Sequence, residues 1–209
     1  MNKIILITAT ILTTAFAKAQ NFSKSFVSTG LSIGNFDQLT HANIPVSYNH
    51  QVKGLNGLRY ILGIRQNLAF GQSTYTINNQ QTTIDDISSY SVNVMFGFEY
   101  ISKRKLLFGF TIDALGVNTG TRSFKTIGTD PIYKINPEYT NILLGASNDR
   151  GTLNSEFYLG YRLSEFISLK AGLAHYLITL EYSNINGKGC VQSFSNIPFV
   201  QLQYSLWQN

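Results

Sequence analysis

The chain is poor in charge, cysteine and histidine, and it has no long hydrophobic run outside its N-terminus. Only 13% of its 209 residues are charged, against ~25% in ordinary soluble domains. A single cysteine, Cys190, excludes an internal disulfide, so an exported chain of this kind needs another source of stability. His41, His50 and His175 are scattered, and no Cys/His spacing suggests a metal site. No phosphate loop is present, because Gly116 and Gly120 are not followed by Gly-Lys-Ser/Thr. No cofactor is expected. Beyond residue 20 no apolar stretch approaches the ~20 residues of a spanning helix, and the mean hydropathy of −0.01 would place the chain among soluble proteins.

The N-terminus points to export. Met1-Asn2-Lys3 is basic, Ile4 to Phe16 is uncharged and largely apolar, and Ala17-Lys18-Ala19 supplies an A-x-A site. That is the pattern of a secretory signal peptide over 1–19, cleaved before Gln20. Residues 20–209 then suit one domain. Without Lys3 and Lys18 the formal charge of +5 becomes +3. No basic run exceeds Lys103-Arg104-Lys105, so nucleic acid is not an expected partner.

What the chain does have is alternation. In Ser89 to Ser102, SYSVNVMFGFEYIS, the positions Tyr90, Val92, Val94, Phe96, Phe98 and Tyr100 are large and apolar. The intervening positions are mostly small or polar, the period-2 signature of a strand. Seven further segments show the same pattern: about Ser25–Asn35, Ala42–Val52, Gly57–Phe70, Leu106–Val117, Gly151–Leu163, Phe166–Tyr182 and Asn196–Trp207. Their lengths match strands that cross a bilayer at a tilt.

The connections alternate in length. Lys53–Asn56, Ser102–Lys105 and Ser164–Glu165 are tight. Phe36–His41, Gly71–Ser88, Asn118–Arg150 and Ser183–Ser195 are longer. Short turns at one end and long loops at the other predict a barrel with periplasmic turns and extracellular loops. Eight strands are expected. Ten remain open if 118–150 hides two more.

The placement of charge decides which face meets what. Within the eight segments the inward candidates are Arg59, Arg65, Glu99, Asp113, Glu156, Arg162 and Lys170. Each stands on the non-apolar parity of its strand. None interrupts an apolar face, where Arg or Lys would cost ~2–4 kcal/mol at the bilayer midplane. A soluble secreted barrel or sandwich would place charge outside and leave fewer glycines there than Gly63, Gly97, Gly109, Gly160 and Gly172. These residues suit a crowded lumen. Four cations and three anions sharing one interior predict a paired network. Tyr158, Tyr176, Met95, Gln201 and Gln203 share that face and would fill volume, which predicts a plugged barrel.

The final segment, Val200-Gln201-Leu202-Gln203-Tyr204-Ser205-Leu206-Trp207, resembles the terminal signal of small Gram-negative outer-membrane barrels of the OmpX and OmpA-transmembrane type. The match ends Trp207-Gln208-Asn209, beyond the aromatic residue. The resemblance implies an all-β, up-and-down transmembrane barrel in the cell outer membrane. It also implies outer-membrane lipid as surroundings and the barrel-assembly machinery as a partner during biogenesis.

No catalytic residue is assigned. His175 lies on the lipid-facing parity, with Glu181 and Ser183 beyond it, which raises a lipid-modifying enzyme as an alternative. Ser183, however, is eight residues away along an extended chain, roughly 26 Å at ~3.3 Å per residue. A narrow channel for small solutes is the other alternative. Function is expected in the loops, as surface interaction, adhesion or envelope integrity, with a possible protein partner there. Gly71–Ser88 predicts a hairpin standing above the membrane. Asn136-Pro137-Glu138 matches a helix start, or else extends the neighbouring strands. Cys190 is expected as a free thiol in a surface loop, and Asp85-Asp86 as solvated loop residues.

Overall fold

The computed structural model describes residues 23–36, 39–53, 57–77, 80–121, 126–127, 132–145, 148–184 and 187–206. The expected signal segment 1–19 and Trp207 lie outside the described residues. Among the described residues eleven strands follow in chain order. They are β1 (Ser23–Phe36), β2 (Leu39–Lys53), β3 (Leu58–Ile77), β4 (Gln80–Ile101), β5 (Leu106–Thr121), β6 (Thr126–Ile127), β7 (Ile132–Pro137), β8 (Thr140–Ile142), β9 (Thr152–Arg162), β10 (Ile167–Asn184) and β11 (Gly187–Ser205).

Eight of them close a ring in the order β1, β2, β3, β4, β5, β9, β10, β11, every neighbour antiparallel. Closure runs through Val27 opposite Tyr204 on β1 and β11. A closed ring leaves no unpaired edge around the wall. β6, β7 and β8 are short additions and do not bring the ring to ten.

The polarity is that of a soluble protein turned inside out. Along β4, Ser89, Ser91, Asn93, Met95, Gly97 and Glu99 are buried, while Tyr90, Phe96 and Phe98 are exposed. Large apolar side chains stand exposed outside the wall, among them Leu159 at 71%, Phe157 at 61%, Leu173 at 59% and Val200 at 55%. Phe98, Phe110 and Phe157 form a row over three adjacent strands, with ring centroids 5.9 and 4.5 Å apart. At the short-turn end Tyr60, Tyr100, Tyr161 and Tyr204 stand near the ends of four strands, the position of an aromatic girdle.

The structure departs from strict alternation at three places. The first is a bulge in β5. Val94 faces Leu115 and Met95 faces Asp113, so Ala114 is the extra residue. Unbroken alternation from Leu106 would have turned Leu115 and Val117 into the lumen. The bulge resets the parity, leaving both exposed and bringing Asn118 inside.

Secondly, three of the expected long loops are mostly strand. β1 and β2 pair out to Phe36 opposite Leu39. β10 and β11 pair out to Asn184 opposite Gly187, and β3 and β4 out to Ile77 opposite Gln80. The expected hairpin above Gly71–Ser88 is therefore present, and Cys190 stands exposed on β11, opposite Glu181, instead of in a loop.

The third departure is Asn118–Arg150. Asn136 and Pro137 lie in β7, which pairs with the upper part of β10, so of the two readings open for this stretch the strand forms and the helix start does not. β8 then pairs with β5 from Leu115 to Val117. Together these two strands continue the course of β9 above Thr152, and the handover is marked at Thr179. Its N–H donates to the Gly151 carbonyl, and its own carbonyl accepts from the Glu138 N–H. The following turn reaches as far as β11, where Gln192 Nε2 donates to the Asp149 carbonyl at 2.6 Å. At this height Leu153 and Leu177, paired across β9 and β10 on the outward parity, are buried at 4% and 3%.

Candidate functional site

The lumen gathers nearly all of the buried chemistry. Its residues arrive by strand parity, and each strand contributes at a few heights. Space is limited, as Gly109 shows: a Cβ there would sit 2.6 Å from the Tyr158 hydroxyl and from the Phe98 carbonyl.

Near the short-turn end, Glu99 is fully buried and takes three donors. Lys170 Nζ lies 2.7 Å from Glu99 Oε2, the Tyr158 hydroxyl donates to the same oxygen at 3.1 Å, and Gln51 Nε2 donates to Oε1 at 2.8 Å. Arg59 Nη1 donates to Gln51 Oε1 at 2.7 Å, which ties the half-buried mouth to this pair. The Lys170 ammonium also sits 4.1 Å from the Tyr158 ring centre, a cation–π contact.

One layer higher, Arg65 serves two carboxylates. Its Nη1 stands 3.2 Å from Asp113 Oδ1 and its Nη2 2.9 Å from Glu156 Oε2. Nη2 also donates to Thr111 Oγ1 at 2.6 Å, and Nη1 to the Asn154 carbonyl at 3.1 Å. Asp113 Oδ2 accepts from Asn93 Nδ2, Asn67 Nδ2 and the Asn154 N–H at 2.9–3.2 Å. Buried charge is tolerated when it is paired and its remaining lone pairs are satisfied. The first condition holds here, and the second holds in part: Asp113 Oδ2 and Glu156 Oε2 are satisfied, whereas Arg65 Nε and Asp113 Oδ1 are buried without a hydrogen-bond partner.

Above this lies an amide and hydroxyl layer. Asn141 Nδ2 donates to Asn93 Oδ1, and Asn141 Oδ1 accepts from the Thr152 N–H, both at 2.7 Å. Asn118 bridges Thr152 and Ser89. An apolar cluster of Ala69, Ile87, Tyr176, Ile178 and Leu180 follows toward the long-hairpin end, with the His41 ring 4.6 Å from that of Tyr176 and tilted against it by 35°. Polar layers and the apolar cluster occupy much of the interior, beside a small cavity bordered by Ser28, Ser47, Asn49 and Lys170.

Five of the seven charges singled out in the sequence, Arg65, Glu99, Asp113, Glu156 and Lys170, thus meet in two groups. Arg59 and Arg162 are half-buried at the mouth. They are near enough to repel each other, and Arg59 also feels Glu99. Missed in the sequence were the amides Asn67, Asn93, Asn118, Asn141 and Asn154. The first, second and last share the inward parity and were findable. Asn118 and Asn141 depend on the bulge and on β8. His175 Nδ1 lies 2.7 Å from Asn196 Oδ1 and its ring stacks on Phe194, so its contacts are to β11 and not to Glu181 or Ser183.

These features define a class of protein: an eight-stranded antiparallel barrel with a mostly apolar exterior and a polar, charge-paired interior, shaped for a bilayer. Three solved structures are similar in outline. Neisserial surface protein A is 10% identical, with 88% of this chain and 96% of that one covered, at a TM-score of 0.41. The Yersinia pestis outer membrane protein Ail, in a phospholipid bilayer nanodisc, is 12% identical over 88% and 99%, at 0.38. The beta domain of the Bordetella autotransporter BrkA is 10% identical over 88% and 99%, at 0.36. No protein-family model and no curated protein sequence matches the chain.

Proposed function

We propose that the chain is a non-enzymatic integral protein of the outer membrane. Its barrel is an anchor closed to solute flow, and its long hairpins present a surface for adhesion, a protein partner or envelope integrity. One observation carries this reading: a mostly apolar exterior, with Gln66, His175 and Asn196 among its polar exceptions, encloses paired ions and hydrogen-bonded amides. In water the exposed Phe, Leu and Tyr side chains would promote aggregation. In lipid they are solvated. The largely occupied lumen argues for an anchor over a channel, since Arg65, Lys170 and their partners occupy the axis below the apolar cluster. β3–β4 and β10–β11 carry their pairing beyond the ring and supply the exposed surface.

Cell fractionation with heat-modifiable gel migration tests the location, and planar bilayer recording tests closure. The reading expects a membrane-bound, heat-modifiable band and no steady conductance. A soluble periplasmic protein would refute the first part, and a persistent open current the second.

A further inference from the structure

The two ends of the barrel differ in charge. At the short-turn end the β4–β5 turn presents Lys103, Arg104 and Lys105, all exposed. It is joined to the next strand pair by the Arg162 N–H, which donates to the Lys105 carbonyl at 2.9 Å. The half-buried side chains of Arg162 and Arg59 stand at the same end. In the three turns there, Glu165 is the only acidic side chain. At the opposite end acids and bases are mixed, with Glu138, Asp149 and Glu181 beside Arg150 and Lys188.

We infer that this cationic rim is a binding surface for the phosphate headgroups of anionic phospholipids in the leaflet facing the periplasm. The inference rests on the membrane reading above. Three observations support it. Charge complementarity is the first, since adjacent cations concentrated at one rim attract phosphate.

Depth is the second. Leu106 at 53% exposure and Tyr161 at 46% border the turn and belong to the apolar band and its tyrosine girdle. A lipid whose chains lie against that band brings its headgroup level with the turn. Lysine and arginine stems reach outward from such positions while their heads stay in the headgroup layer. The third is shape: Lys105 holds a left-handed backbone conformation, φ 66°, inside a turn closed by Lys105 N–H to Ser102 carbonyl and Ser102 N–H to Leu106 carbonyl bonds. Three cations are thereby held on one tight corner and not on a loose loop. A periplasmic anionic polymer would be recognised by charge alone and would not need this corner beside the apolar band.

The test uses the full-length protein in phosphatidylcholine vesicles carrying spin-labelled phosphatidylglycerol or spin-labelled phosphatidylcholine. Wild type is expected to prefer the anionic label by about fivefold, roughly the effect of one basic side chain at an anionic surface, and to lose the preference in high salt. The triple variant K103Q/R104Q/K105Q should lose most of it, whereas K103R/K105R and, at the far end, K188Q should keep it. Heat-modifiable migration shows that each variant has folded. Equal binding of both labels by folded wild type, or a preference unchanged in the triple variant, would overturn the inference. Sedimentation with peptidoglycan that depends on the same three residues, without any lipid preference, would overturn it in favour of a polymer. Failure to enter vesicles at all would count against the membrane reading instead.

Discussion

Arg65 on β3 reaches Glu156 on β9 at 2.9 Å, a contact between residues 91 apart in the chain, made inside a wall where both side chains are buried. The same guanidinium lies 3.2 Å from Asp113 on β5. One cation therefore holds three strands of the ring through two carboxylates.

Removing that cation leaves Asp113 and Glu156 close together without a counter-charge. Arg65→Met is expected to destabilise the barrel by about 3–5 kcal/mol, the cost of breaking a buried pair from one side. Adding Asp113→Asn and Glu156→Gln should recover much of the loss. Urea unfolding in vesicles measures both. Equal midpoints for wild type and R65M would show that the network contributes no stability.

Gly109→Ala tests how full the lumen is. The new methyl would meet the Tyr158 hydroxyl and the Phe98 carbonyl, each at 2.6 Å. A penalty of about 1–3 kcal/mol follows from overpacking. Tyr158→Phe in the same chain should relieve only part of it, because the carbonyl belongs to the wall. The unfolding midpoints of the single and double variants give the answer.

The outer face is tested by Leu173→Arg, at a position opposite Phe157 and well away from the tyrosine girdle. On a soluble barrel an arginine at a position 59% exposed would be nearly neutral. Facing lipid near the midplane it costs about 2–4 kcal/mol. Folding yield and unfolding midpoint in vesicles are the readouts, and no change in either would contradict a lipid-facing position.

Cys190 reports orientation. It is exposed on the β10–β11 hairpin, at the end away from the short turns. In intact cells it should react with a membrane-impermeant maleimide. Arg104→Cys in a Cys190→Ser background should react only after the outer membrane is opened. The reverse pattern would invert the barrel.

Much of this architecture was legible in the chain, and the reason is local. Parity along SYSVNVMFGFEYIS assigned Glu99 inward and Phe98 outward from neighbouring residues alone, because a strand turns its side chains over every second residue. The same rule put Arg65, Asp113, Glu156 and Lys170 inside. It failed at Ala114, where a single extra residue shifts the pattern, and it did not show that Leu153 and Leu177, on the outward parity, would be buried. Pro137 left two readings open. A proline after asparagine suits a first helical turn, but it equally suits the last residue of a short strand whose N–H is not needed.

By itself, then, the sequence determined the strand content, the inside-out polarity and the seven charges available to the interior. Tertiary structure alone decided that Lys170 meets Glu99, that Arg65 bridges Asp113 and Glu156, and that β7 and β8 complete the wall above Thr152. Periodicity is a property of adjacent residues, whereas these contacts join strands distant in the chain, and their heights are set by the register with which eight strands close on themselves.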